Sequence, residues 1–222
     1  ITDGYVGGQA VVEYFRGLLL TLKGTSSEAM SVSVKWDGAP AVVCGTNPDN
    51  GQFFVGTKSV FAQAAKINYT KKDIATNHGT DELGQKLLKC LVHLKKLNIP
   101  GVVQGDLLYT DEDITRKNID GKPHLTFTPN TITYAVPEGS DLAQQIDRAK
   151  VGIIFHTTYV GDTLASMNAK GGADVSSFAK SPDVFFDNAT YKDVSGSAKF
   201  TADESQQFYN SIDKLETLLN SV

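Results

Sequence analysis

Apolar residues Val11, Val12, Phe15, Leu18, Leu19 and Leu22 recur at helical spacing over residues 8–22, which predicts an amphipathic helix closed at Lys23-Gly24-Thr25. The period then shortens. Val32 and Val34 alternate with Ser31 and Ser33, which predicts a strand with one buried face, and the apolar run 41–45 predicts its partner. Asn47-Pro-Asp-Asn-Gly51 is a turn cluster, and residues 52–55 supply a third strand, so the pattern reads as an antiparallel meander. Residues 58–79 read as a loop with a short helix. Leu83, Leu87, Leu88, Leu91, Leu94 and Leu97 predict a helix over 80–97, with Thr80 as N-cap and Asn98-Ile-Pro-Gly101 as its stop.

Residues 102–109 predict a strand interrupted by Gly105, followed by a polar insertion over 110–123. Residues 125–128 and 131–136 read as strands around Pro129-Asn130, and Ser140 caps a helix reaching about residue 149. A strand is predicted over 151–159, no element is assigned over 160–200, and Thr201-Ala-Asp-Glu204 is a capping box for a final helix through Phe208, Ile212 and Leu219. The expected fold class is α+β, a mainly antiparallel sheet with packed helices, formed as a single domain over 1–222.

Composition narrows the function less than the pattern narrows the fold. The formal net charge of −4 across 222 residues gives no overall electrostatic case for nucleic acid or an acidic membrane surface. Cys44 and Cys90 both lie in apolar segments and read as reduced, buried thiols of a cytosolic protein, and the four histidines show no zinc spacing. No apolar run reaches the roughly 18 residues of a membrane span, so no membrane partner is expected. The start at Ile1 and the end just past a helical pattern are what a fragment of a longer chain would show.

The candidate chemistry lies at Lys35-Trp36-Asp37-Gly38. Residues two apart in a strand share a face, so extended backbone here would place Lys35 beside Asp37. A lysine in a partly dry pocket loses its proton more readily and becomes a nucleophile, Asp37 could orient it or bind a metal, and Gly38 would let the backbone approach a nucleotide. The competing reading is an ion pair on a hairpin rim, worth about 0.5 kcal/mol. Asp111, Glu112 and Asp113 could attract a divalent cation but lack Ca²⁺-loop spacing and read as a solvated loop. His156 reads as a satisfied core histidine.

Lys35-Trp-Asp-Gly38 resembles the first motif of the covalent nucleotidyltransferases, the ATP-dependent DNA and RNA ligases and mRNA-capping enzymes. In that family the lysine attacks the α-phosphate and carries the nucleotide as a phosphoramidate. Phe54-Val-Gly-Thr-Lys58-Ser resembles the segment that holds a basic residue near the phosphates, and Val103-Gln-Gly-Asp106-Leu107 is similar to the third motif, whose acid contacts the ribose. Gly152-Ile-Ile-Phe155-His-Thr-Thr-Tyr159 resembles the strand that supplies an aromatic ring to the base. The resemblance, over about residues 30–160, implies ATP or GTP with Mg²⁺, a lysyl-AMP or lysyl-GMP intermediate at Lys35, and a DNA or RNA end as acceptor. It implies nucleotide binding by Gly38, Lys58, Asp106 and Phe155 or Tyr159, and assigns no metal ligand.

The sequence departs from that pattern at named places. Pro40 stands where an arginine commonly falls, and Asp106 replaces the usual glutamate. No Glu-Gly-apolar motif follows Tyr159, and Lys-x-Lys does not occur. The whole chain also resembles, more loosely, uncharacterised proteins of tailed phages of marine bacteria. That likeness implies the host cytoplasm or the virion as location and a phage particle or replication protein as partner. The alternative function is a non-catalytic nucleotide- or nucleic-acid-binding module, or a phage structural protein, on the same fold.

Overall fold

The computed structural model describes residues 4–25, 33–190 and 199–221. These fall into two compact units, residues 33–190 on one hand and the two ends of the chain on the other.

The unit built from the chain ends pairs helix α1 (Gly4–Leu22) with helix α5 (Ala202–Asn220). The helices run antiparallel: the Tyr5 hydroxyl donates to Asn220 Oδ1 at 2.7 Å, while Phe15 meets the Phe208 ring edge-on at 6.0 Å. Val12, Leu19 and Ile212 are buried in the seam. Thr201 and Glu204 form the expected capping box of α5.

The larger unit is organised on a six-stranded sheet of order β2-β1-β3-β7-β8, with β9 beside β7. Its strands are β1 (Ala41–Thr46), β2 (Phe53–Gly56), β3 (Val102–Thr110), β7 (Val151–Val160), β8 (Asn168–Gly171) and β9 (Val184–Asn188). All pairs are antiparallel except β7 with β9. A second, three-stranded antiparallel sheet joins β4 (Thr115–Ile119), β5 (Lys122–Phe127) and β6 (Tyr134–Pro137). Helices α2 (Lys71–His78), α3 (Glu82–Leu94) and α4 (Asp141–Arg148) complete the unit. The fold is α+β and antiparallel-dominated.

Strand alternation sorts the side chains of the large sheet. Val42 and Cys44 of β1, Val103 and Leu107 of β3, and Ile153 and Phe155 of β7 face the apolar side of α3, where Leu87, Cys90, Leu91 and Leu94 close the core. Cys44 and Cys90 are free and buried there, and burial pushes the Cys90 thiol up to about 12. The opposite face carries two smaller clusters, one around Leu108, Tyr109 and Phe127, the other around Val43, Phe54 and Val60. Polar side chains occupy the space between them.

Several elements differ from the sequence expectation. Ser31 and Val32 lie outside the described residues. Ser33 forms one antiparallel bridge with Thr190, Val34 is 42% exposed, and residues 34–38 form no strand. The chain from 33 to 40 is instead pinned piecemeal to its neighbours, because β1 already has β2 and β3 on its two edges. Gly105 does not interrupt β3, which passes through a bulge between Gln104 and Gly105. Asp81, not Thr80, caps α3 by accepting from the Gly84 amide at 3.3 Å. The expected polar insertion is the β4–β5 hairpin, closed by Asp120 and Gly121 with φ of 51° and 77°. No helix among the described residues is long and apolar enough to cross a membrane.

Candidate functional site

A cleft of about 500 Å³ opens on the sheet face away from α3. Its size lies in the range of small-molecule sites. The approach segment contributes Lys35, Trp36, Asp37 and Gly38, β3 contributes Gln104 and Asp106, and β7 contributes Ile154 and His156. Lys58 reaches it from the start of a 3-10 helix and Asn130 from a loop.

Four anchors fix the segment that carries Lys35. The Val34 amide donates to the Ala189 carbonyl at 2.8 Å, and the Ala39 amide donates to the Leu107 carbonyl at 2.9 Å. The Trp36 ring stacks on Tyr134 with centroids 5.5 Å apart, and the Tyr134 hydroxyl accepts from the Asp37 amide at 2.9 Å. Gly38 lies so close to β3 that a Cβ would fall 2.6 Å from Asp106 Cβ and 2.9 Å from the Leu107 carbonyl oxygen. The glycine therefore serves backbone-to-strand approach. Lys35 and Lys58 are exposed and form no hydrogen bond or ion pair among the described residues.

Asp37 has a different duty from the one its spacing implied. Its Oδ1 accepts from the Asn130 amide at 2.9 Å, and its Oδ2 accepts from the Thr131 and Ile132 backbone amides, each at 2.8 Å. These donors, Asn130 foremost, hold the carboxyl below the usual carboxylate range, and Lys35 adds a smaller pull in the same direction. Asp37 fastens the 130–132 loop to the lysine segment. Asp106 keeps an oxygen 3.4 Å from His156 Nε2, and His156 Nδ1 lies 2.9 Å from the Thr157 hydroxyl.

The structure thus brings Lys35, Asp37, Gly38, Lys58 and Asp106 to one cleft, but not Phe155 or Tyr159. Phe155 is fully buried and meets Phe178 edge-on at 5.5 Å in the core under α3, because its place in the β7 alternation is opposite to that of Ile154 and His156. The Tyr159 ring packs on Phe61 at 4.4 Å, and its hydroxyl donates to Gln104 Oε1 at 2.7 Å. Burial pushes the Tyr159 phenol above its ordinary value, which keeps it a hydroxyl donor.

Gln104, His156, Trp36 and Asn130 line the cleft without having been singled out as binding residues from sequence. For Gln104 a signal existed: with Asp106 it is one of two polar residues inside the otherwise apolar run Val102–Leu108. The acidic run at 111–113 lies elsewhere and is already satisfied. Asp111 pairs with Lys89 and with Lys150, Glu112 pairs with Lys89 at 2.9 Å, and Asp113 accepts from the Thr110 amide at 2.7 Å. Among the described residues no group of three or more His, Cys, Asp or Glu side chains is arranged to hold a metal ion.

One family model matches residues 1–222, and its description is Family of unknown function (DUF6267). No curated protein and no solved structure matches the chain.

Proposed function

We propose that this chain, which belongs to the family of unknown function DUF6267, binds ATP or GTP in the cleft and takes its nucleotide onto Lys35, as a polynucleotide-ligase-like nucleotidyltransferase. The observation that carries the reading is the convergence of Lys35, Lys58 and Asp106, from three separate stretches of chain, on one cleft large enough for a nucleotide.

In this step the unprotonated Lys35 Nζ forms a P–N bond to the α-phosphorus. The bond from that phosphorus to the pyrophosphate oxygen breaks, its electron pair leaves with the pyrophosphate, and the proton shed by the Lys35 nitrogen passes to solvent. Lys58 offsets charge on the phosphates, and Asp106 accepts from ribose hydroxyls. Mg²⁺ typically takes one or two protein carboxylates together with phosphate oxygens, so Asp106 fits it as the protein ligand, while Asp37 is engaged by three donors. When bound, the ion would neutralise charge developing on the triphosphate. The acceptor would be a nucleic-acid end.

The test is incubation with α-labelled ATP or GTP and Mg²⁺. Label should survive denaturation in the wild type and vanish in Lys35→Ala. A wild-type protein that takes up no label from either nucleotide removes the enzyme reading. The commitment of Asp37 to the 130–132 loop favours a second reading, a non-catalytic nucleotide- or nucleic-acid-binding module or phage structural component on the same fold. In that case Lys35→Ala leaves function intact, and the protein co-purifies with nucleic acid or particles.

A further inference from the structure

Gln104 sits in the middle of β3 and is only 5% exposed, so its amide has little water to satisfy it. One end is satisfied, because Oε1 accepts from the Tyr159 hydroxyl at 2.7 Å. The other is not. Nε2 forms no hydrogen bond among the described residues, yet it is not sealed in the interior, and Gln104 lines the cleft. Tyr159 thereby turns two N–H donors of a nearly buried amide toward the cleft.

The surroundings decide what those donors can meet. Lys58 opens the short 3-10 helix Lys58–Phe61, Phe61 packs on the Tyr159 ring, and Tyr159 holds Gln104, so a chain of contacts links the Lys58 helix to Gln104, and both residues line the cleft. Of the carboxylates in the lining, Asp37 takes three donors, and Asp106 keeps one oxygen beside His156 and, among the described residues, the other open. The donors of the lining left without a protein acceptor among the described residues include the ammonium groups of Lys35 and Lys58 and the Gln104 amide. A nucleobase edge mixes donors and acceptors, whereas a polyphosphate chain carries acceptors only.

From this geometry we infer that Gln104 is a binding residue for the polyphosphate tail of the ligand, held donor-outward by Tyr159 as a positioning residue. The inference rests on the nucleotide reading of the same cleft but makes a separate demand, since it requires polyphosphate affinity whether or not Lys35 reacts.

The experiment is calorimetric titration of the full chain with sodium tripolyphosphate, ATP, GTP and AMP. Tripolyphosphate should bind, and ATP should bind more tightly than AMP. Gln104→Glu, which replaces donors by acceptors in the same shape, should weaken tripolyphosphate, ATP and GTP alike by about tenfold, the factor carried by one hydrogen bond to a charged group. Tyr159→Phe keeps the ring against Phe61 and should weaken them less. Added to Gln104→Ala, it should cause no further loss, whereas a purely structural tyrosine would give additive losses. Circular dichroism confirms that each variant is folded. Wild-type protein that fails to bind tripolyphosphate overturns the inference, as do Tyr159→Phe affinities equal to wild type. So does a Gln104→Glu effect confined to one of ATP and GTP, which would mark base reading. Lysyl labelling with unchanged variant affinities overturns this inference alone; tripolyphosphate binding with the expected variant losses but no labelling overturns the covalent reading alone.

Discussion

At Gly38 a single added carbon would press on the side-chain root of Asp106 and on the β3 backbone at once. Neither neighbour is a flexible side-chain tip, so Gly38→Ala is expected to cost about 1–3 kcal/mol, the usual range for overpacking a tight contact. Denaturant unfolding measures that loss, and an unchanged midpoint would refute the close approach. Asp37 acts at the same scale through charge. Its folded-state pKa lies below the unfolded value of about 3.9, so its contribution is complete above pH 4 and disappears as pH falls through the lower folded value. The Thr131 and Ile132 amide resonances should shift together in that acid window, and in Asp37→Asn the shared transition should be absent. Lys35 and Gly38 were legible as special residues because short-range spacing and turn chemistry single them out. The duty of Asp37 was not, since its partners lie 93 to 95 positions away, and Thr131 and Ile132, which read as part of a strand over 131–136, instead form the loop before β6, which begins at Tyr134.

Among the elements, those with a buried apolar stripe were readable and those without one were not. Helix α3 and strands β3 and β7 each bury a face against the core, and hydrophobic spacing reports that burial. Strand β4 is exposed at every position, so nothing in its composition alternates. Its hairpin is written only in the Asp120-Gly121 turn, where both residues take positive φ. Gly121→Ala should therefore destabilise this hairpin by roughly 1 kcal/mol. Amide exchange should accelerate over 115–127 and stay unchanged in β3 and β7; uniform acceleration would contradict a local turn effect. Strand β9 was missed for another reason. It pairs in parallel with β7 after a long excursion of irregular chain, and parallel register leaves no local turn signature.

For the whole molecule, the cleft belongs entirely to one unit, since every lining residue falls between Ser33 and Thr190. Residues 33–190 produced alone are expected to unfold cooperatively and to bind ATP within about threefold of the full chain, because all four buried clusters but the α1–α5 seam lie inside that span. Thermal melting and titration of the fragment test this, and a non-cooperative melt would show that the chain ends are required. The α+β class could be read from the succession of helical and alternating patterns. The division into units could not, because it depends on a helix at one end of the chain pairing with a helix at the other.

The Ser33–Thr190 bridge joins the first and last residues of the larger unit, and Val34 beside Ala189 continues it into the cleft floor. Tension applied through those two ends would therefore act at neighbouring points and peel the contacts apart one at a time, the weakest loading mode for backbone hydrogen bonds. The first structure to yield under pulling would be the seat of Lys35, well before the sheet, so a stretched chain would release a ligand of the proposed kind from the cleft at low force while the core remained intact. Single-molecule pulling from residues 33 and 190, with and without tripolyphosphate, should show a small early extension step that moves to higher force when the ligand is present.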